Sequence, residues 1–511
     1  MNHLNRWILL ILCFLFCCPA VQANEQERRN HVVIVGAGIS GLVAAWELAQ
    51  KDIDVTVLEM SPIYGGAGIT SEGAICIIGT PEQEQSGIKD SAQMAFDDFM
   101  TYGRDDQGPG PNKEWVRYYV DESRREIYDW LAQLGVRFEK KVILMPGNSV
   151  PRWHKVTGKG RGLLEPIYKD CKKMKRVSFV FGTKAVSLLR NGNRIQGVRA
   201  ERLKDGKRID YPASAVILAT GGFQSNLRMV RENWPSELPF PDHLLIGGGL
   251  NALGSGHEMA AAAGACLINM QYQLNYPTGL TNPSDAGGQR GMNAYSDKSI
   301  WVNKTGRRFM SESRDTRLTF PEVVRQPGGT YWAIFDSDAR EVFHVSGWSP
   351  QKIASGIFNN PEMSAYVKSG LTISELAQAA GLPSEALNQT VTRWNRMVTE
   401  GKDTDFGRIG RDQLTWSNPP KIEKPPFYAV QFLPLTRKSM GGVAIDRSCR
   451  VTDRSGRPIP GLYAVGELTG LAGVNGKASI EGTFLGTCIL TGRVAGRAVM
   501  TDLAAQKNQV D

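Results

Sequence analysis

The sequence contains few of the residues that build metal centres and disulfide scaffolds. It has eight cysteines and six histidines in 511 residues, and three of the cysteines fall within the first 23 residues. The other five are widely spaced, and no Cys-x-x-Cys pair occurs. That pair is typical of zinc ribbons and, with a following His, of covalently attached haem. We therefore predict no metal, no iron–sulfur cluster and no haem in this chain.

Long runs of one kind of residue are also missing. No stretch reaches the roughly 20 apolar residues that span a membrane. No run of five or more Lys and Arg occurs, despite a net charge of +9. Nucleic acid is therefore not an expected partner, whereas a mildly basic surface suits an anionic cofactor, substrate or redox partner.

The longest apolar run lies at residues 8–18 and is followed by the segment PAVQA. Val21 and Ala23 occupy the positions that a signal peptidase reads. We therefore expect residues 1–23 to be a cleaved signal peptide and the protein to be exported, to a periplasm or out of the cell. An uncleaved membrane anchor is the alternative.

Glycine is abundant, with 55 residues. A predicted buried strand at residues 32–35 leads into Gly36, Gly38 and Gly41, which have the spacing Gly-x-Gly-x-x-Gly and open a helix. Glu59 ends the next predicted strand, 18 residues after Gly41. In such a unit the glycines let the backbone approach a diphosphate at the helix N-terminus, and the acid accepts hydrogen bonds from a ribose. The sequence therefore predicts a dinucleotide-binding domain.

Three further glycine-rich segments favour FAD over NAD as the dinucleotide. They are residues 65–74 (GGAGITSEGA), 215–223 (AVILATGGF) and 459–470 (IPGLYAVGELTG). With them the chain, from residue 31 to about 500, resembles the flavoprotein subunits of fumarate reductases and succinate dehydrogenases. The soluble relatives of these subunits include flavocytochrome-type fumarate reductases, urocanate reductases, tricarballylate dehydrogenases and 3-ketosteroid dehydrogenases.

The resemblance implies an α/β fold in two parts. A Rossmann-like, discontinuous FAD-binding domain is expected at residues 25–270 and 439–511. An inserted α+β capping domain, which carries the substrate site, is expected at residues 271–438. The active site should lie at the junction of the two domains, where the cap excludes water when closed.

The resemblance also assigns the cofactor contacts. Glu467, after Gly466, matches the Glu that contacts the ribityl chain, and Phe484 and Leu485 open the final helix, whose N-terminus faces flavin N1. No His lies in residues 61–74, so we expect the FAD to be non-covalent. The predicted cofactor-binding residues are Gly36, Gly38, Ser40, Gly41, Glu59, Gly65, Gly66, Ala67, Thr70, Ser71, Gly73, Ala185, Val186, Thr220, Gly221, Gly256, Gly466, Glu467, Phe484 and Leu485.

Two segments resemble the catalytic part of the family: residues 299–317 (SIWVNKTGRRFMSESRDTR) and 333–340 (AIFDSDAR). By position, the resemblance makes Arg340 the acid that protonates the substrate and Glu312 the relay carboxylate, with Arg314 or Arg317 behind it. The alternative is an Arg–Glu ion pair that only ties a loop. Residues 401–408 (GKDTDFGR) also match the family but carry no obvious chemistry.

Three positions depart from the family pattern for binding a dicarboxylate. Tyr276 stands where a carboxylate-binding His is expected, Lys438 replaces a second His, and Lys477 lies near the position of a carboxylate-binding Arg. Lysines can bind an anion as point charges but lack the bidentate fork of Arg. The substrate is therefore predicted to be a larger α,β-unsaturated acid, an enone or a cyclic ketone rather than fumarate.

We therefore predict an FAD-dependent oxidoreductase that transfers hydride between flavin N5 and a carbon–carbon bond next to a carboxylate or carbonyl. A separate electron carrier is expected to exchange electrons with the flavin. One alternative is a 3-ketosteroid-type dehydrogenase, for which Tyr276 is the candidate base. Another is a non-catalytic flavin electron carrier, which would tolerate the loss of Arg340 and Glu312.

Overall fold

The computed structural model describes residues 30–51, 53–312, 315–409 and 420–507. The predicted signal peptide and Arg314 lie outside these residues. None of the helices within the described ranges is both long and apolar enough to cross a membrane.

The chain up to residue 270 contains strands and helices around the predicted dinucleotide motif. Its strands are β1 (His31–Val35), β2 (Asp54–Leu58), β3 (Ala74–Cys76), β4 (Phe138–Ile143), β5 (Trp153–Val156), β6 (Val177–Val180), β7 (Thr183–Asn191), β8 (Arg194–Arg202), β9 (Lys207–Pro212), β10 (Ala215–Leu218), β11 (Leu245–Ile246) and β12 (Leu267–Ile268). Its helices are α1 (Ile39–Ala49), α2 (Pro81–Gln85), α3 (Ala92–Tyr102), α4 (Lys113–Ser123), α5 (Trp130–Gln133), α6 (Lys159–Lys173), α7 (Leu227–Glu232) and α8 (Ser255–Ala262).

The rest of the chain first builds a second sheet and then returns to the first. The strands are β13 (Gln273–Thr281), β14 (Gly291–Tyr295), β15 (Ile300–Val302), β16 (Tyr331–Phe335), β17 (His344–Val345), β18 (Val367–Gly370), β19 (Phe427–Ser439), β20 (Gly442–Val443), β21 (Arg450–Thr452) and β22 (Pro458–Ala464). The helices are α9 (Thr316–Val324), α10 (Ser337–Arg340), α11 (Pro350–Ile353), α12 (Ile373–Ala380), α13 (Ser384–Glu400) and α14 (Thr483–Lys507).

The first sheet has six strands in the order β21-β22-β10-β1-β2-β6. All neighbours are parallel except β21 and β22. In the central strand β1, residues 32–35 are an unbroken, buried apolar run, as expected for a strand covered on both faces. Because β22 comes from the C-terminal part of the chain and lies beside β10, this domain is discontinuous in sequence. The predicted α/β class and Rossmann-like organisation are confirmed.

The second sheet has eight strands, and β19 pairs with four of them: β11, β13, β16 and β18. Its strands come from residues 273–439, apart from β11, which lies before the expected domain boundary at residue 271. One face carries a cluster of buried aromatic residues that includes Trp301, Tyr331, Phe335 and Phe432. The long strand β19 extends from this core to Ser439, which touches the first domain.

Candidate active site

The turn after β1 has the geometry of a diphosphate site. Gly36 has a φ of +109°, and a Cβ on Gly41 would collide with the carbonyl oxygen of Gly36, so both positions require glycine. A Cβ on Gly38 would meet nothing within 4 Å. Helix α1 begins after Gly38 without a side-chain cap, so its first N–H groups are free of a side-chain acceptor and suit an anion.

Glu59 follows β2 at the same edge of the sheet, and its side chain is buried and held by two backbone donors. The N–H groups of Ala37 and Ser61 each donate to one carboxylate oxygen at 2.8 Å. The carboxylate is therefore fixed beside the glycine turn, where it can accept hydrogen bonds from a ribose.

The other predicted cofactor residues of the N-terminal part lie along this edge or in loops beside it. Gly65 pairs with Gly38, Thr220 and Gly221 follow β10, and the N–H of Thr183, which opens β7, donates to the Glu59 carbonyl. The remainder are Ser40, at the start of α1, Gly66, Ala67 and Thr70 in one 3₁₀ turn, Ser71 and Gly73 after it, Ala185 and Val186 on β7, and Gly256 on α8.

Glu467 joins the two domains at the C-terminal side of the site. It follows Gly466 after β22, and its Oε1 accepts hydrogen bonds from the backbone N–H of Ser439 at 3.0 Å and from its hydroxyl at 3.3 Å. Ser439 is the last residue of β19. The strand that crosses the capping domain therefore ends at the predicted ribityl contact.

The N-terminus of α14 lies beside this point. Phe484 and Leu485 are buried in its first turn, and the ammonium of Lys438 lies 4.7 Å from the centre of the Phe484 ring. A helix N-terminus and a lysine both create positive potential, which suits the negative charge of a reduced flavin. These residues and the glycine turn fit an FAD, which when bound would supply the hydride acceptor and donor of the site.

A cavity of about 420 Å³ lies next to the N-terminus of α14, at the junction of the two domains. Its wall combines apolar side chains with charged ones. The apolar residues include Trp234, Leu274, Phe320, Pro321 and Met440, and the charged residues are Arg104, Asp105, Glu237, Arg317 and Lys477.

Lys477 lies in the cavity wall, but it is already paired. Its ammonium lies 3.0 Å from Glu237 and 3.4 Å from Asp105, and Asp105 also accepts a hydrogen bond from Tyr272. Burial acts to lower the pKa of Lys477, but these two carboxylates outweigh it and raise that pKa above its usual value. Lys477 is therefore not the free anion-binding charge that the sequence suggested.

Tyr276 also lies at the junction, and its hydroxyl has a partner that no sequence pattern indicates. Its hydroxyl donates to Oε1 of Glu481 at 3.0 Å, and the guanidinium of Arg437 lies 5.0 Å from the centre of its ring. Burial and the charge of Glu481 raise the pKa of Tyr276, while Arg437 opposes them. Tyr276 and Glu481 are 205 residues apart, and no local pattern could have paired them.

A second tyrosine links the domains nearby. The hydroxyl of Tyr102, on α3, donates to Asp315 at 2.8 Å, and the Arg317 guanidinium lies 4.6 Å from the centre of the Tyr102 ring. Arg317, the alternative to Arg314 in the predicted relay, therefore lines the cavity, whereas Arg314 itself is outside the described residues.

Arg340 does not lie at this junction. It ends α10, donates to the hydroxyl of Tyr428 at 3.3 Å and faces the Phe358 ring at 5.2 Å. Tyr428 precedes Ser439 by 11 residues on β19, a separation of roughly 35 Å at about 3.3 Å per residue. This position argues against Arg340 as the acid beside the flavin.

Glu312 is fully buried inside the capping domain, in an ion cluster. Its carboxylate lies 2.7 Å from Arg308 and 3.2 Å from Arg408, and it accepts the backbone N–H of Trp301 at 2.9 Å. Burial acts to raise the pKa of Glu312, but Arg408 and Arg308 hold it below its usual value. Asp403 also pairs with Arg308, so the segment 401–408 completes the cluster. The ion-pair alternative describes Glu312 better than the relay prediction does.

The chain is similar to several known flavoproteins. The model of a family described as FAD binding domain matches residues 31–485. A KsdD-like steroid dehydrogenase of Mycobacterium tuberculosis is 29% identical over 565 residues, which covers 95% of this chain and 98% of that protein. A urocanate reductase of Eggerthella lenta is 31% identical over 474 residues, which covers 91% and 73% of the two chains.

Among solved structures, the open conformation of a flavocytochrome c3 fumarate reductase matches with a TM-score of 0.73 and 26% identity, over 94% of this chain and 81% of that one. The family match covers most of the chain. The edge of the first sheet that carries the glycine turn, Glu59 and Glu467, here called the cofactor edge, is assembled from the residues of the family's motifs. The chain therefore belongs to the FAD-binding family of fumarate reductase and succinate dehydrogenase flavoproteins, and it is an FAD-dependent oxidoreductase.

Proposed function

We propose that the protein transfers hydride between FAD and a carbon–carbon bond next to the carbonyl of a largely apolar, uncharged compound, such as a cyclic enone. The observation that carries this proposal is that the cationic side chains of the cavity wall are already matched by carboxylates. A carboxylate substrate would have to displace these partners.

Three cations line the cavity, and each has an acidic partner within 4.0 Å. Arg104 pairs with Asp106 at 2.8 Å, Arg317 with Asp315 at 4.0 Å, and Lys477 with both Glu237 and Asp105. Binding of a dicarboxylate usually relies on Arg forks that present two parallel donors. A wall whose charges cancel favours a neutral ligand.

The size and lining of the cavity point the same way. Its volume of about 420 Å³ falls within the range of roughly 300–1,000 Å³ found for sites that take drug-sized ligands. A four-carbon acid would leave much of that space unfilled. Trp234, Leu274 and Phe320 offer an apolar surface to a ring system, and the wall also carries the hydroxyl groups of Tyr272, Thr316 and Ser479. A KsdD-like steroid dehydrogenase as a full-length relative supports the same class.

The electron carrier, the export of the protein and the attachment of its FAD are inferred from the sequence. Because the sequence has no haem or cluster motif, a separate electron carrier would supply or remove the electrons. From the apolar N-terminal segment we propose that the protein is exported. From the lack of His in residues 61–74 we propose that its FAD is non-covalent.

The test is to reduce the bound flavin with dithionite under anaerobic conditions and add one acceptor at a time. We expect 3-keto-4-ene steroids or smaller cyclic enones to restore the absorbance of oxidised flavin promptly, and fumarate, urocanate and aryl-acrylates to leave it reduced. The saturated ketones should reduce the oxidised enzyme in the reverse direction. Prompt reoxidation by an acid, with no response to enones, would overturn the proposal.

The variant Lys477→Met distinguishes a neutral substrate from a carboxylate. The variant leaves the carboxylates of Glu237 and Asp105 without their cation, so it should raise the concentration needed for half-maximal rate much more for a carboxylate than for a neutral substrate. If no compound reoxidises the reduced flavin and none reduces the oxidised flavin, the hypothesis of a non-catalytic electron carrier gains support.

A further inference from the structure

The hydrogen bond between Tyr276 and Glu481 crosses the domain junction beside the flavin end of the site. Tyr276 lies on β13 of the capping domain, and Glu481 lies two residues before α14. Tyr276 packs in one apolar cluster with Leu274, Met440 and Phe484, and the first two of these line the cavity. The pair therefore adjoins both the cavity and the N-terminus of α14.

We propose that Tyr276 and Glu481 form a proton relay, in which Tyr276 exchanges a proton with the substrate carbon next to the carbonyl and Glu481 exchanges a proton with Tyr276. The inference rests on the hydride transfer proposed above, but on no particular substrate. Tyr276 is the catalytic residue of this pair, and Glu481 acts through it.

The relay solves a problem of protonation. A tyrosine hydroxyl is protonated at neutral pH, and partial burial with a carboxylate at 3.0 Å raises the pKa of Tyr276 further. Such a hydroxyl can take a proton from carbon only if its own proton leaves at the same time. Glu481 accepts that proton already as a hydrogen bond, so the acceptor is in place.

Atoms and electrons balance in both directions. In dehydrogenation, the carbon–hydrogen bond next to the carbonyl breaks, its proton bonds to the Tyr276 oxygen, and the original hydroxyl proton moves to Glu481. The electron pair of that bond forms the carbon–carbon double bond, while hydride leaves the neighbouring carbon for the oxidised FAD. The substrate is oxidised by two electrons, and reduction of the double bond follows the same route in reverse.

The charged groups around the pair are few and fixed. Arg437, on β19, stacks on the Tyr276 ring and donates to the Gly247 carbonyl at 3.0 Å. On the other side lies Tyr102, whose pKa is raised by burial, by Asp315 and, to a smaller extent, by the charge of Glu481. Tyr102 is in turn bonded to Asp315 and covered by Arg317. Arg437 thus offsets a negative charge on the relay.

The experiment compares Tyr276→Phe, Glu481→Gln and the double variant with wild type, with the best acceptor of the panel or its saturated partner. Each single variant should lose at least about 100-fold in rate, the usual contribution of a positioned acid or base. The double variant should lose little more, because the two residues act as a unit. Glu481→Asp should recover part of the loss.

The pH profile separates a relay from a merely structural contact. In Glu481→Gln, Tyr276 must release its proton to solvent, so the rate of dehydrogenation should keep rising with pH where that of wild type is level. The matched control is the pair Tyr128 and Glu82, bonded at 2.8 Å, in which the Tyr128 ring stacks on Phe138 of the first domain and not beside Leu274 and Met440 of the cavity wall. Tyr128→Phe and Glu82→Gln should leave both rate and profile unchanged.

The two proposals fail in different ways. If wild type reacts but Glu481→Gln keeps its rate and pH profile, the relay is wrong and the function stands. If no panel compound exchanges electrons with wild type, the proposed function fails. The relay is then tested by the exchange of deuterium from heavy water into the carbon next to the carbonyl of a saturated cyclic ketone. Exchange that depends on Glu481 supports the relay, and exchange that ignores it, or none in wild type, rejects it.

Discussion

Glu312 lies at the centre of a buried ion cluster in the capping domain. Its carboxylate compensates two guanidinium groups that have almost no contact with solvent, Arg308 and Arg408. Glu312→Gln removes that compensation and leaves buried positive charge, which typically costs about 3–5 kcal/mol. We therefore expect a clear drop in the midpoint of thermal or denaturant unfolding, with normal flavin reoxidation in the folded fraction.

The matched control is Glu322→Gln, which breaks the half-exposed pair of Glu322 with Arg325 at 2.9 Å. Exposed pairs contribute at most about 1 kcal/mol, so this variant should unfold like wild type. A Glu312→Gln protein of unchanged stability but much slower reoxidation would restore Glu312 to the catalytic relay.

At the residue scale, the sequence predicts positions that depend on local chain geometry and not those that depend on the path of a long strand. Gly36, Gly41 and Glu59 follow from one strand–turn–helix–strand unit, so their placement could be read in advance. Arg340 was placed by a short motif, but the distance of that motif from the flavin is set by β19. The bond between Tyr276 and Glu481 joins segments that meet only in three dimensions.

At the element scale, two glycines at the start of α1 distinguish a position needed for FAD binding from one needed for folding. A Cβ on Gly38 meets open space, whereas a Cβ on Gly41 collides with the Gly36 carbonyl. Gly38→Val should therefore fold but fill the place of the diphosphate and bind FAD poorly. Gly41→Val should be destabilised by roughly 1–3 kcal/mol or more, as overpacked variants are.

The measurements are the flavin content after purification and the unfolding midpoint of each protein with its FAD removed. Gly38→Val should match the FAD-free wild type in stability, and Gly41→Val should fall below it. Full flavin content in Gly38→Val would mean that the diphosphate does not approach this turn.

The element types in this region could be predicted because strand and helix periodicities are strong there, whereas β11 and its pairing with β19 involve too few residues to leave a pattern.

At the scale of the whole molecule, the cofactor edge is built from segments that are far apart in the chain. The glycine turn and Glu59 come from the N-terminal part, Ser439 from the end of the capping domain, and Glu467 and Phe484 from the C-terminal part. Because FAD binds only where these segments meet, it binds the folded protein and not the unfolded chain. Its removal should therefore lower the stability of both domains together.

Linkage gives the size of this effect. Free FAD at 100 times its dissociation constant should stabilise the fold by about 2.7 kcal/mol, so the unfolding midpoint should rise steadily with FAD concentration. Calorimetry of the FAD-free protein during such a titration measures the rise, and Gly38→Val, with the binding space filled, should show almost none. If only one of two unfolding transitions moved with FAD, the capping domain would be independent of the cofactor. The contact between Ser439 and Glu467 would then not couple the two domains, so a single transition that shifts as a whole is the outcome that this architecture requires.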